Sequence, residues 1–203
     1  VACVLYDSKS KQVVKTMSEL ISTNKEITPE IQELTGITKE MLDTYGSPAG
    51  YVAKNIYDTF ALYYDIEYFC AHNASFDKGF WDAHLAGASK ELDEKPWIDT
   101  LLHVPYPSHM KSKKLTYLAL EHGIFLQNAH RALSDCLAVA EILKKYDMED
   151  IIFQMNRPYA DVKALIQLPF SAQGTITRES VKAFGFRWDG SKYWVKRVPT
   201  NTL

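Results

Sequence analysis

Two extended, apolar-rich runs open the chain, Val1–Tyr6 and Gln12–Ile21, joined by the polar Asp7-Ser8-Lys9-Ser10-Lys11, and together they predict an antiparallel hairpin. Helical patterns follow. Thr28-Pro29 supplies a cap and a first-turn proline for a helix that stops at Gly36, and Ile37-Thr38 opens a second short helical stretch through Leu42. Ser47-Pro48 starts a longer helix through about Tyr64, with Tyr51, Ile56, Phe60 and Tyr63 as its inner face. The apolar-aromatic run Ile66 to Cys70 predicts a buried strand, extending to Ala71, with a helix after it over Ser75–Leu85. Pro96-Trp97-Ile98 predicts a short strand, and Asp99-Thr100 the opening of another helix. Ser112 is the expected cap of a helix with Leu115, Leu118 and Ala119 at helical spacing, ending at Gly123. Leu133, Cys136, Leu137, Ala140, Ile142 and Leu143 then keep a 3.6-residue period through Tyr146. A hairpin followed by alternating helices and strands implies an α/β fold with a mixed sheet.

Composition narrows this little: 46% hydrophobic and 24% charged residues describe an ordinary globular protein, long enough for one good domain and a small one. No apolar run is long enough to span a bilayer, and no secretory leader is visible, so no membrane partner is expected. Cys3, Cys70 and Cys136 are scattered in apolar segments, which predicts buried, reduced thiols and a cytoplasmic location. Charge is uneven. The net charge of −2 divides into about +4 from Ala160 onward and about −6 before it, a balance suited to a metal-dependent site with a phosphate-binding appendage, or to a plain surface imbalance.

The candidate chemistry gathers in two stretches. Asp77 closes Ala71-His72-Asn73-Ala74-Ser75-Phe76-Asp77, in the first turn of a helix that follows a core strand, where α/β proteins place their sites. His130 and Asp135 bracket a second helix start in Ala129-His130-Arg131-Ala132-Leu133-Ser134-Asp135. Each has an ordinary alternative when taken alone: a solvated helix-start acid for Asp77, a surface histidine for His130, and a solvated acid on an amphipathic helix for Asp135.

Taken together, H-N-A-S-F-D and, some fifty residues on, H-R-A-L-S-D resemble the second and third motifs of the DnaQ-like (DEDDh) 3′→5′ exonucleases, a family that includes proofreading subunits, exonuclease X and ribonuclease T. Leu34-Thr35-Gly36-Ile37-Thr38-Lys39-Glu40-Met41-Leu42 resembles the family's loop against the terminal nucleotide, and Asp99-Thr100 another recurrent pair. The resemblance covers about Val1 to Tyr146. It implies a ribonuclease H-like mixed sheet flanked by helices, with Asp77 and Asp135 as ligands of two Mg²⁺ or Mn²⁺ ions. It also implies His130 as the general base, and Asn73, Thr35 and Ile37 as walls for the 3′-terminal nucleotide. These types suit the task, because hard carboxylate oxygens bind such ions and an imidazole accepts a proton near neutral pH. Asp99 reads as a helix cap rather than a ligand. The family's first motif, an Asp-x-Glu on an opening strand, is absent from the sequence, and an upstream strand carrying it is expected; without it the chain should bind metal poorly and cut little.

The tail, from Asn156-Arg157-Pro158-Tyr159 as a connector, predicts a strand over Ala164–Phe170, a helix over Arg178–Phe184 and a hairpin from Phe186-Arg187-Trp188 to Tyr193-Trp194-Val195-Lys196. This resembles a small module appended to several DNA-processing proteins. Its interleaved aromatic and basic residues suit single-stranded nucleic acid, while Phe184, Trp188 and Trp194 equally suit the core of so small a unit. The expected organisation is therefore an exonuclease domain over 1–155 and a small α+β module over 160–203. The expected activity is removal of mononucleotides from the 3′ end of single-stranded or frayed DNA, with a DNA polymerase as a candidate partner. The alternatives are a non-catalytic nucleic-acid-binding or polymerase-associated module of the same fold, and an exoribonuclease.

Overall fold

The computed structural model describes residues 1–126, 131–157, 159–164, 178–183, 185–188 and 193–199. The chain divides into two compact units, Val1–Met155 and Asn156–Leu203.

In the first unit β1 (Ala2–Asp7) and β2 (Gln12–Ser18) form the antiparallel hairpin. In α1 (Pro29–Thr35) the Thr28 hydroxyl accepts from the Ile31 N–H at 3.4 Å, and Gly36 ends the helix in the left-handed region at φ 64°. In α2 (Lys39–Tyr45) the Thr38 hydroxyl accepts from the Met41 N–H at 3.2 Å. α3 (Ala49–Ile56) runs into a π turn over Tyr57–Ala61, where the Leu62 N–H reaches back to the Tyr57 carbonyl at 3.1 Å. Then come β3 (Phe69–Ala71), α4 (Ala74–His84), α5 (Lys90–Asp93), β4 (Trp97–Asp99), α6 (Thr100–His103), α7 (Leu115–Glu121), α8 (Ala132–Leu143) and α9 (Met148–Asn156). β3 and β4 are parallel, with Ala71 opposite Asp99.

The strands present apolar side chains to two separate cores. Val52, Ile56 and Phe60 pack with Trp81, Leu85 and Leu92, and Cys3, Leu5, Phe69 and Trp97 join them. Ile98, Val104, Val139, Leu143 and Ile151 form the second core, joined by Tyr6 and Tyr68. Neighbouring strand residues such as Trp97 and Ile98 therefore serve opposite faces, as the two-residue strand period requires. α3 and α4 lie on one face, and α8 and α9 on the other. This is a three-layer α/β arrangement with a mixed set of strand pairings.

Several expectations are corrected. Tyr51 and Tyr63, expected inside, are 57% and 72% exposed; Val52, Ala53, Ile56 and Phe60 take the inner face, and the π turn adds a residue that rotates the phase before Tyr63. The strand expected from Ile66 is only Phe69–Ala71, and it is not deeply buried: among the described residues it pairs along one edge only, leaving Cys70 exposed. Ser112 does not cap α7. Its hydroxyl accepts from the Lys114 N–H at 3.2 Å, a turn that delays the helix to Leu115. α5 and α9 are short amphipathic helices that the sequence reading passed over.

In the second unit β5 (Tyr159–Ala164), β6 (Arg187–Trp188) and β7 (Trp194–Pro199) form an antiparallel sheet in the order β5-β7-β6, with α10 (Arg178–Ala183) between β5 and β6 in sequence. β5 begins at Tyr159, inside the expected connector, because its residues pair with β7 from Tyr159↔Pro199 to Ala164↔Trp194. Trp194 is buried, whereas its cross-strand partner Trp188 is 48% exposed, their rings meeting edge-on at 5.6 Å. Most of the strand expected over Ala164–Phe170, the residue Phe184 and the turn 189–192 lie outside the described residues. No helix among the described residues is long and apolar enough to cross a membrane.

Candidate active site

Two helix starts build the site. At the first, the chain leaves β3 through His72 and turns at Asn73, whose φ of 73° and ψ of 56° lie in the left-handed region that asparagine tolerates better than most residues. Phe76 N–H then bonds the Asn73 carbonyl at 3.0 Å, and Asp77 falls in the first turn of α4, one helical turn from the buried Ala74 and from Trp81. Trp81 holds the helix down, its indole N–H donating to Asp93 at 2.9 Å and its ring lying 4.8 Å from Phe69.

The second start is α8. Arg131 precedes its first turn without capping it, and Asp135 N–H bonds the Arg131 carbonyl at 3.1 Å. Cys136 beside it is anchored to the first strand, its thiol donating to the Ala2 carbonyl at 3.5 Å.

The charges of Asp77 and Asp135 both reach this buried thiol. Burial pushes Cys136 up to about 11, and the negative charges of Asp77 and then Asp135 push it the same way. Carboxylates from two helix starts far apart in sequence therefore lie within electrostatic range of one sulfur. Asp77 itself is exposed as a residue, yet partial burial of its carboxyl raises it above the usual carboxylate range. The charge of Asp99 adds to that rise, while its own N–H and His72 oppose it.

The substrate-wall residues fall in two places. Asn73 is exposed at the start of α4, with its side-chain oxygen accepting from Ser75 at 3.3 Å. Ile37 lines a cleft of about 360 Å³ with Arg131 and the first residues of α8, Ala132 to Ser134. Thr35 shapes this loop rather than facing a ligand through its hydroxyl, which donates to the Ile31 carbonyl at 2.6 Å and accepts from the Ile37 N–H at 3.2 Å. His130 lies outside the described residues. Asp99 is the helix cap the sequence suggested, its Oδ1 accepting from Leu101 N–H at 2.9 Å.

Sequence reasoning assigned no role to Arg131, although it stands inside the quoted motif. Its guanidinium donates to the Gly36 carbonyl at 3.4 Å, joining the Thr35–Ile37 loop to the helix that carries Asp135. His72 was passed over as well. Its ring bonds Thr100 Oγ1 at 2.9 Å and the Lys113 carbonyl at 2.7 Å, fixing the β3–α4 turn from two sides.

The donor chemistry fits one hard cation: two carboxylates with waters and substrate phosphate oxygens completing the shell are a common setting for Mg²⁺. Among the described residues no group of three or more His, Cys, Asp or Glu gathers that could hold an ion, so a second cation needs acids from elsewhere.

Known proteins share this chain's sequence family and fold. A 3′-5′ exonuclease DinG from Staphylococcus aureus (strain USA300) is 33% identical over 183 residues, covering 77% of this chain; the chain spans about 20% of that relative's length. Exonuclease X in complex with 5′ overhanging duplex DNA superposes with a TM-score of 0.52 at 22% identity, covering 76% of this chain and 89% of the other. A 3′-exonuclease that recognises the histone mRNA stem-loop gives 0.56 at 18%, covering 70% and 68%. Exonuclease I gives 0.54 at 20%, covering 75% and 38%. These structures share the ribonuclease H-like α/β fold. The RNase_T family, described as exonuclease, matches residues 1–143, and the chain belongs to that family.

Proposed function

We propose that the protein carrying this domain is a metal-dependent 3′→5′ exonuclease that removes nucleoside monophosphates from the 3′ end of single-stranded or frayed DNA. The observation that carries the reading is the exonuclease family match over residues 1–143, which spans both helix starts bearing the motif acids Asp77 and Asp135. Mg²⁺ or Mn²⁺ held by these carboxylates would supply charge neutralisation at the scissile phosphate and a water acidic enough to be deprotonated near neutral pH.

The chain's own residues do the rest. Ile37 and Asn73 bound the terminal nucleotide, Arg131 holds the loop of Ile37 against the start of α8, and His130 takes the proton of the attacking water. A second cation, with the in-line geometry it favours, calls for an Asp-x-Glu strand. The free edges of β1 and β3 among the described residues are where such a strand would pair. In the second unit Trp188 offers an exposed ring beside the exposed Arg187, a pairing suited to stacking on a base and contacting a phosphate.

The test is digestion by the full-length protein with Mg²⁺ of a single strand labelled at its 5′ end. A ladder shortening one nucleotide at a time, with mononucleotides released, is the expected result. Internal cuts, or shortening from the labelled end, overturn the reading. Competition by RNA of the same sequence decides the sugar preference.

A further inference from the structure

The turn that aims Asp77 is held from beneath by a buried acid. Asp99 is only 7% exposed, and Thr100 beside it 1%. One oxygen of Asp99, Oδ1, accepts two backbone N–H groups: that of Leu101 at 2.9 Å, which caps α6, and that of Asn73 at 3.1 Å, across the parallel pair from β4 to the end of β3. The second bond has no part in capping α6. It ends on the residue held at φ 73°, where the chain reverses from strand to helix and a non-glycine residue is under strain. Thr100 completes the fixture, its hydroxyl lying 2.9 Å from the His72 ring and 3.4 Å from the Ala71 carbonyl, with its single proton shared between the two. The Asp99 backbone N–H is itself held by His103 Nδ1 at 3.0 Å. Every residue from Ala71 to Asn73 is thus tied to the Asp99-Thr100 turn, and Asp77 follows one helical turn later.

We propose that Asp99 is a positioning residue for the metal site: by holding the Asn73 N–H it locks the left-handed turn that starts α4 and so fixes the direction in which Asp77 is presented. This rests on the reading of Asp77 as a metal ligand. Asp99 touches neither metal nor substrate; it acts through Asn73 and the helix start. Outer partners of this kind are worth roughly 10–100-fold in metal affinity.

Two substitutions separate the clamp from the cap. Asp99→Asn keeps an oxygen where both N–H groups meet, so cap and clamp survive. Asp99→Ser keeps a good helix cap within reach of Leu101 but is too short to cross to Asn73, so only the clamp is lost. Mn²⁺ binding to the full-length protein, followed by electron paramagnetic resonance, is measured for both beside Asp77→Asn. Asp99→Ser is expected to weaken binding about 10-fold or more while unfolding cooperatively, with Asp99→Asn within about threefold of wild type. Wild-type binding by a folded Asp99→Ser, or equal losses in both Asp99 variants, overturns the proposal. If Asp77→Asn binds Mn²⁺ as wild type does, the reading of the site falls; if it loses binding while Asp99→Ser keeps it, only the clamp falls. Should Asp99→Ser not fold, the Asn73 amide decides: a downfield, slowly exchanging proton in wild type and Asp99→Asn is expected, and a fast-exchanging one in wild type overturns the clamp.

Discussion

Asp135→Asn separates stability from activity in a way the structure lets one size. Asp135 lies in the first turn of α8, where a carboxylate gains about 0.3–1 kcal/mol from the partial positive charge of the helix start. The amide has nearly the same shape and loses that gain. The cost is under about 1 kcal/mol, a fall in melting temperature of no more than roughly 2–4 °C for a domain of this length. Activity should respond on another scale. Groups that only orient a metal ligand are worth about 10–100-fold, so removing the ligand itself should cost at least about 100-fold, or ~2.7 kcal/mol in the barrier. The assay pairs a thermal melt with initial rates of mononucleotide release from a single strand under saturating Mg²⁺. A variant that melts within a few degrees of wild type and still cleaves within about threefold of its rate would refute the role given to Asp135.

Asp77 has a carboxyl raised in the metal-free fold, so protons compete with a cation there up to a higher pH than at an ordinary carboxylate; Mn²⁺ affinity should begin to fall with acid above the usual carboxylate range, and that fall should move in Asp77→Glu. A raised folded value also means that the charged form costs stability at neutral pH and the cost fades as pH falls through that value, so Asp77→Asn should raise the melting temperature at pH 7 and lose that advantage where the carboxyl is protonated both folded and unfolded. Gly36→Ala forces a left-handed residue, at about 1–2 kcal/mol, and brings a Cβ to 3.4 Å from the Arg131 guanidinium. Melting should fall by several degrees and KM for the strand should rise more than kcat falls. Trp188→Ala should leave the melt nearly unchanged and weaken binding of a single strand by about 1–3 kcal/mol, read by fluorescence anisotropy, whereas wild-type affinity would mark Trp188 as structural alone.

Much of the first unit was legible because its signals are local. Thr28, Pro29 and Gly36 bound α1 where their chemistry puts a cap, a first turn and a left-handed stop, and Thr38 does the same for α2. What escaped depends on tertiary context. No periodicity announces the π turn that rotates Tyr63 outward, and the burial of β3 depends on what pairs with its other edge, which Phe69–Ala71 does not encode. At the site, the sequence shows Asp77 and Asp135 each near a helix start, but that the charges of both reach Cys136 depends on how the helices pack. Asp99 was legible as a cap because Leu101 is two residues away. Its second bond, to Asn73, crosses between strands and leaves no mark in the local pattern.

If Asp77 and Asp135 hold one divalent cation between them, Mn²⁺ binding to wild type, Asp77→Asn, Asp135→Asn and the double variant will show it. The account predicts that each single change weakens binding by at least about tenfold and that the double change adds little beyond either one, because both remove the same site. Independent, additive losses, or binding untouched by either change, would contradict it.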